Sequence, residues 1–211
     1  AHEKTIATRE TMTQGPYQAA IAAFDQANGA DPNRESWAGQ DYPKELLYAQ
    51  RMGEMQERYA PEASEAVRLA VRAQHIERWK IARSDFPPDR QGYLQWRTRL
   101  YSFHAETAGA LVRDAGYDEA MVERVMAIVC KKGLKVNPET QLMEDVVDLV
   151  FLEHYISDFA AKHPEYDEAK WLQIIAKTSQ KMSPRAHQFV LAGGVRLPAA
   201  LQPLIMKAVA S

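Results

Sequence analysis

Residues 143–159 read Met-Glu-Asp-Val-Val-Asp-Leu-Val-Phe-Leu-Glu-His-Tyr-Ile-Ser-Asp-Phe. Val146, Val147, Val150, Phe151, His154 and Tyr155 recur at helical spacing, so this run is a helix with one strongly apolar side. Asn137-Pro138 opens the element and Pro164 stops it. It is the most hydrophobic helix of the chain, and the segments on either side read as further helices. Pro16 suits a first helical position, with Tyr17, Ala20, Ile21 and Phe24 behind it and Asn28-Gly29 at the end. A polar loop is expected over Asp31–Tyr42. A second helix starts at Pro43 and breaks at Pro61, and a third runs from about Glu62 to Arg78. Pro87-Pro88 marks an irregular stretch, because proline inside a helix removes a donor and clashes with the preceding turn.

A long fourth helix is expected from Gln91 to Gly116, and a fifth from Glu119 to Lys132, capped by Asp118 and stopped at Gly133. Shorter helices follow at 167–181, 184–191 and 198–210. No strand pair and no Asn-Gly hairpin signal stands out. The expectation is an all-α fold: a single helical domain of about eight or nine helices over residues 16–211, with a flexible N-terminus over 1–15. The amphipathic stretch Leu197–Val209 either packs on the domain or forms a dimer face, so a homodimer is open.

The chain has 211 residues, with 26 Lys and Arg against 28 Asp and Glu, for a formal net charge of −2. That length buries a sizeable core without staples. The near-zero charge argues against a protein whose main task is to grip nucleic acid, though a local basic patch stays open. No run of eighteen apolar residues is present, so no membrane partner is expected. Cys130 is the one cysteine, which excludes a disulfide scaffold and a Cys-rich zinc module. With no apolar signal segment at the start, a cytoplasmic location is expected.

Polar residues set among apolar ones are the candidates for chemistry. His75 follows the apolar stripe of the third helix, and His104 lies in Phe103-His104-Ala105-Glu106. Glu144, Asp145 and Asp148 enter the hydrophobic helix, and a buried carboxylate needs a partner. At helical spacing Gln141, Glu144, Asp145 and Asp148 lie near one face. Each has a structural alternative: a helical histidine is commonly a satisfied core residue, and acids favour the positive end of a helix. A second feature is cationic. Arg78 to Arg99 holds six basic residues against two acidic ones, Asp85 and Asp89. Trp79, Tyr93 and Trp96 are interleaved. Arginine forks match phosphate and stack on rings, so Arg78, Arg83, Arg90 and Arg97 read as an anion-binding lid over a cleft, with Trp79, Tyr93 or Trp96 placed to stack on a base. The alternative is a solvated loop anchored by its tryptophans.

The order His75, His104, Asp145 resembles the HD superfamily of helical metal-dependent phosphohydrolases, over roughly Tyr42–Tyr155. Leu69-Ala70-Val71-Arg72-Ala73-Gln74-His75-Ile76 stands in the place of the His-Asp helix, and Thr140–Asp148 in that of the last ligand helix. Departures are plain: Glu45 stands where the first His belongs, Ile76 where the Asp of the pair belongs, and Lys131 brings a cation near a further ligand position. The resemblance implies an HD-like core over about 42–159, accessory helices over 165–211, and one divalent transition metal (Mn, Fe, Zn or Ni) held by Glu45, His75, His104 and Asp145. Glu144 and Asp148 would then orient a ligand or act as general base. The implied activity is hydrolysis of a small phosphorylated metabolite or nucleotide. The alternatives are a nucleotide- or RNA-binding module with a degenerate site and an iron-dependent oxygenase of HD type. The chain is also similar to a family of unknown function marked by Gln-His-Ile-x-Arg-Trp, Gly-Tyr-Leu-x-Trp-Arg and Glu-Asp-Val…Phe-Leu-Glu, which stand here at 74–79, 92–97 and 144–153.

Overall fold

The computed structural model describes residues 15–211. The expected flexible N-terminus therefore lies, apart from Gly15, outside the described residues. Helix α1 (Pro16–Gly29) leads to a hairpin of β1 (Arg34–Trp37) and β2 (Gln40–Pro43), followed by α2 (Lys44–Tyr59) and α3 (Glu65–Ala73). Two short 3-10 turns, Arg78–Lys80 and Arg83–Asp85, precede α4 (Arg90–Asp114) and α5 (Glu119–Val129). Helix α6 (Pro138–Val150) passes through a π-helical segment, Phe151–Tyr155, into α7 (Ile156–Lys162). Helices α8 (Glu168–Lys181), α9 (Pro184–Leu191) and α10 (Gln202–Ala210) complete the chain. Among the described residues the protein is therefore mostly helical, with ten α-helices. The count exceeds eight or nine because the π segment divides one long helical rod into α6 and α7.

The predicted hydrophobic helix is the hub. Met143, Val146, Leu149 and Val150 are fully buried, and α6 packs against α2, α3, α5, α8 and α9. Helix starts follow local chemistry. The side chains of Ser64, Asp89, Asp118, Asn137, Asp167 and Ser183 each accept a backbone N–H of the first turn. Gly92 is required where α4 begins, since a Cβ there would lie 1.9 Å from the Pro87 carbonyl oxygen. Ile205 and Val209 of α10 are buried and α10 packs on α8 and α9, so this face is used within the chain.

Two expectations need correction. The loop over 31–42 contains the antiparallel hairpin, with Arg34 opposite Pro43 and Trp37 opposite Gln40. Its turn is Ala38-Gly39, both at positive φ, 51° and 77°, as a two-residue type I′ turn requires. The hairpin is mostly exposed, so no alternation of apolar and polar residues marks it. It is held instead by the Arg34–Asp41 and Arg51–Glu35 ion pairs, 2.9 and 2.8 Å, and by Trp37 beneath the Arg51 guanidinium. The second correction concerns α3, which ends at Ala73 rather than Arg78. His75 sits in a turn beyond it, and Glu77 takes a left-handed conformation, φ 52°, with its N–H donated to Asn28 Oδ1 at 3.0 Å.

Candidate functional site

That turn, α4, the end of α5 and one side of α6 enclose a cavity of about 480 Å³. Four cationic side chains line it: Arg78 from the first 3-10 turn, Arg97 from α4, Lys131 just after α5 and Lys181 at the end of α8. His75, His104, Glu144 and Asp148 share the lining. A second cavity of about 270 Å³ adjoins it through His75, Arg78, Val147 and Phe151, and extends to Lys44, Glu45, Tyr48 and Tyr155.

The two imidazoles are held differently. The His104 ring has Nδ1 2.8 Å from the Ile76 carbonyl oxygen. A carbonyl only accepts, so Nδ1 carries the hydrogen and Nε2 keeps a free lone pair. The Ile76 position thus contributes its backbone, with its side chain fully buried in the core. His75 stacks on Tyr48 with ring centroids 4.1 Å apart, and stands 5.9 Å from the His104 ring. Its Nδ1 lies 3.6 Å from Glu45 Oε2, beyond hydrogen-bond range. Burial pushes the His75 pKa well below the usual imidazole value, and the charges of Arg78, Lys131, Arg97 and Lys44 push it further. Burial and the neighbouring His75 take His104 down to about 3. Both rings are neutral at physiological pH.

The acids on α6 divide between two sides of the helix. Lys131 Nζ lies 2.8 Å from Glu144 Oε2, and Glu144 is 1% exposed, with neither oxygen in hydrogen-bond geometry. Asp148 is buried one turn on with Oδ2 unpartnered. Burial raises its pKa far above the ordinary carboxylate value, and the adjacent Glu144 adds to the rise while Lys181 and Lys131 oppose it. The rise favours the protonated form of Asp148, whose side chain lines the cleft. Asp145 belongs elsewhere. Its Oδ2 accepts from the Tyr59 hydroxyl at 2.8 Å and the Ser183 hydroxyl at 2.5 Å, and its Oδ1 from Gln141 Nε2 at 2.9 Å and the Ser183 N–H at 2.8 Å. It fastens the start of α9 to α6 and lines neither cavity.

Glu45 is placed by the loop before it. Asp31 is buried, and its carboxylate accepts the N–H of Asn33 and of Glu45, both at 2.9 Å, which pins the first turn of α2. Burial raises the Glu45 carboxyl above its usual value, against the opposing fields of Arg78, Lys44 and His104. The four donors expected to share a metal are therefore not gathered. His75 lines both cavities, His104 only the larger and Glu45 only the smaller, while Asp145 is fully engaged behind α6. Among the described residues no three His, Cys, Asp or Glu side chains lie close enough to hold an ion. The Lys131 ammonium adds a positive charge to the cavity where a metal would sit. These residues, so arranged, do not fit the metal that the HD resemblance implied.

The basic segment 78–99 is likewise sorted by the structure. Arg78 lies over the Trp96 ring, and Trp96 donates its Nε1–H to the Ile81 carbonyl at 2.9 Å, anchoring the turn. Arg97 donates to the Tyr93 and Tyr101 hydroxyls and faces the larger cavity. Arg83 is spent on backbone: it donates to the carbonyls of Pro87 at 2.7 Å and Asp89 at 3.2 Å. Arg90, Trp79, Tyr93 and Trp96 line neither cavity. The expected lid of four arginines is thus two arginines in the cleft and a self-bonded loop outside it. The partners of Arg78 and Arg97 in the larger cavity are Lys131 and Lys181, joined by Leu100, Tyr101 and Phe151. Both lysines stand at helix ends just ahead of a new capping signal, Asn137 and Ser183 respectively, which is a sequence cue too general to single them out.

No curated protein and no solved structure matches the chain. A family profile described as a domain of unknown function, DUF4202, matches residues 18–205, and the chain belongs to that family.

Proposed function

We propose that the cleft binds a small phosphorylated metabolite. The observation that carries this reading is the convergence of Arg78, Arg97, Lys131 and Lys181 on one cavity, where they outnumber its two carboxyl groups, Glu144 and Asp148. The surplus is positive in a chain whose formal net charge is −2. A phosphate monoester answers it: the dianion meets the field, the guanidinium forks supply paired N–H donors, and the enclosing walls strengthen each contact relative to water. Isothermal titration calorimetry of the full chain against inorganic phosphate, ribose 5-phosphate and nucleoside monophosphates tests it in the presence of EDTA. Binding that weakens with added salt and falls by about tenfold or more in Arg97→Ala supports the reading. Absence of binding by every phosphorylated compound, or full affinity in Arg78→Ala/Arg97→Ala, overturns it.

A second reading, hydrolysis of the bound ester, has its own support. The raised Asp148 carboxyl favours the proton that a leaving oxygen would need, and His104 Nε2 has a lone pair that can orient a water by accepting its hydrogen bond. The resemblance to HD phosphohydrolases points the same way, but the metal is not part of this reading because its donor set is not assembled. Phosphate release that persists in EDTA and is lost in Asp148→Asn and His104→Gln supports hydrolysis. Ligand binding with no release under any condition leaves a binding protein.

A further inference from the structure

The smaller cavity differs in chemistry from the cationic cleft it joins. Its walls are the rings of Tyr48, Phe151 and Tyr155, and at its edge stands one carboxyl, Glu45. Glu45 is 7% exposed, and its Oε2 is buried with no hydrogen-bond partner. The nearest candidate, His75 Nδ1, is 3.6 Å away. A buried acceptor left unpaired is costly, so the Glu45 oxygen beside this small cavity points to a ligand that pairs it. Glu45 is also held for the purpose, since Asp31 pins its backbone from behind. The π-helical segment adds a second sign: such segments gather at functional sites, and this one carries both Phe151 and Tyr155 to the cavity wall.

We infer that the smaller cavity is a ring-binding subsite and that Glu45 is its specificity-determining residue, selecting a flat heteroaromatic ring that presents adjacent N–H donors. This rests on the phosphate-binding reading for the other half of the ligand: the two cavities share His75, Arg78, Val147 and Phe151, so one molecule spans both. An ionised carboxyl has only acceptors, and its two oxygens pair best with two neighbouring N–H groups. Among common nucleobases guanine offers that edge through its N1–H and exocyclic amine. Hypoxanthine lacks the amine, and uracil offers a single N–H between two carbonyls that face the carboxyl unfavourably.

Titration calorimetry of the full chain with GMP, IMP, UMP, ribose 5-phosphate and inorganic phosphate separates the two halves. The expected result is GMP bound about tenfold or more tightly than IMP, with UMP weaker still. In Glu45→Gln one acceptor becomes a donor, and the GMP-to-IMP ratio is expected to fall to about twofold or less, with Tm recorded to show that the variant is folded. Ribose 5-phosphate and phosphate bound by the wild type, with all bases equal, overturns the ring subsite and leaves the phosphate reading standing. Undiminished discrimination in folded Glu45→Gln overturns the role of Glu45. No binding by any of the five compounds overturns both readings together.

Discussion

Replacing Lys131 by Met tests whether the cleft is organised around its buried ion pair. Lys131 Nζ is 2.8 Å from Glu144 Oε2; the lysine side chain is 17% exposed and the glutamate 1%. Met keeps most of the aliphatic stem, so the perturbation is chiefly the lost charge. Glu144 is then left buried beside Asp148 with no other hydrogen-bond partner among the described residues. Removing one member of a buried pair costs about 3–5 kcal/mol. The partial exposure of Lys131 sets the expectation at the lower end, about 3 kcal/mol. For a chain of this size that is a drop in Tm of roughly 6–12 °C. Urea unfolding at pH 7, followed by tryptophan fluorescence, gives the same quantity as a shifted midpoint at unchanged slope. The double variant Lys131→Met/Glu144→Gln removes both charges and keeps the shape, so it should recover most of the loss. A double variant no more stable than Lys131→Met, or a single variant within about 0.5 kcal/mol of wild type, refutes the pairing as an energetic unit.

His75 and His104 are neutral in the folded chain but protonate at their ordinary values when unfolded, so the unfolded state binds more protons below about pH 6.5. Stability should fall as pH drops from there toward 3, and the limb should flatten in His104→Asn when urea midpoints are compared across pH. Asp148 works in the other direction. Its folded pKa is raised, so the folded state holds the extra proton and stability falls as pH rises above about 4, the ordinary carboxylate value. Asp148→Asn should be flatter across that range and relatively more stable at pH 8; a slope identical to wild type refutes the assignment. Asp145→Ala loses four hydrogen bonds, two to Ser183 at the head of α9, and should cost about 3 kcal/mol or more while leaving ligand affinity within about twofold. Mass spectrometry of purified wild type should find no stoichiometric Mn, Fe, Zn or Ni. A full metal equivalent that disappears in His75→Ala refutes the electrostatic reading of the cleft.

The hub helix was legible because its cues are local. An apolar stripe at helical period, an Asn-Pro start and a downstream proline all sit within one stretch of chain. The caps at Asp118 and Asn137 were legible for the same reason. The hairpin was not, since Arg34–Pro43 is polar on both faces and turns on Ala-Gly. The π segment left no trace either, because a single wider turn does not disturb an apolar face that is already broad. At the site, His75, His104, Glu144 and Asp148 were readable as polar residues out of place, and Arg78 and Arg97 as members of a basic run. Their grouping was only partly so. Glu144 and Asp145 are about 100° apart around a helix. A face wide enough to include both spans the divide between the cleft and the Ser183 contact, and only tertiary packing tells which acid turns which way. Lys131 and Lys181 come from helix ends 50 residues apart in sequence. Nothing in either neighbourhood announces the other.

The backbone takes a costly conformation at two positions that lead into the cleft. Ala38, Glu77 and Lys131 are the described non-glycine residues at positive φ. Ala38 belongs to the hairpin turn, where such a conformation is required. The other two stand where the chain leaves α3 and α5 and bends into the cleft. A left-handed conformation costs an L-residue about 1–2 kcal/mol relative to a right-handed one, and glycine avoids most of that cost. Glycine at 77 would still let the N–H reach Asn28 and still start the turn that carries Arg78. Glycine at 131 would still end α5, as Gly116 ends α4 at φ 107°. The chain keeps charged residues at both. At 131 the reason is visible, since the strained backbone carries the Nζ that reaches Glu144. At 131 the strain is offset by the ion pair that the position supplies to the buried Glu144. Lys131→Gly tests that trade directly: relief of strain offsets part of the lost pairing, so it should unfold at higher urea than Lys131→Met while binding phosphate no better. If Lys131→Gly instead proves the less stable of the two, the left-handed turn is not strained and the argument from the backbone fails.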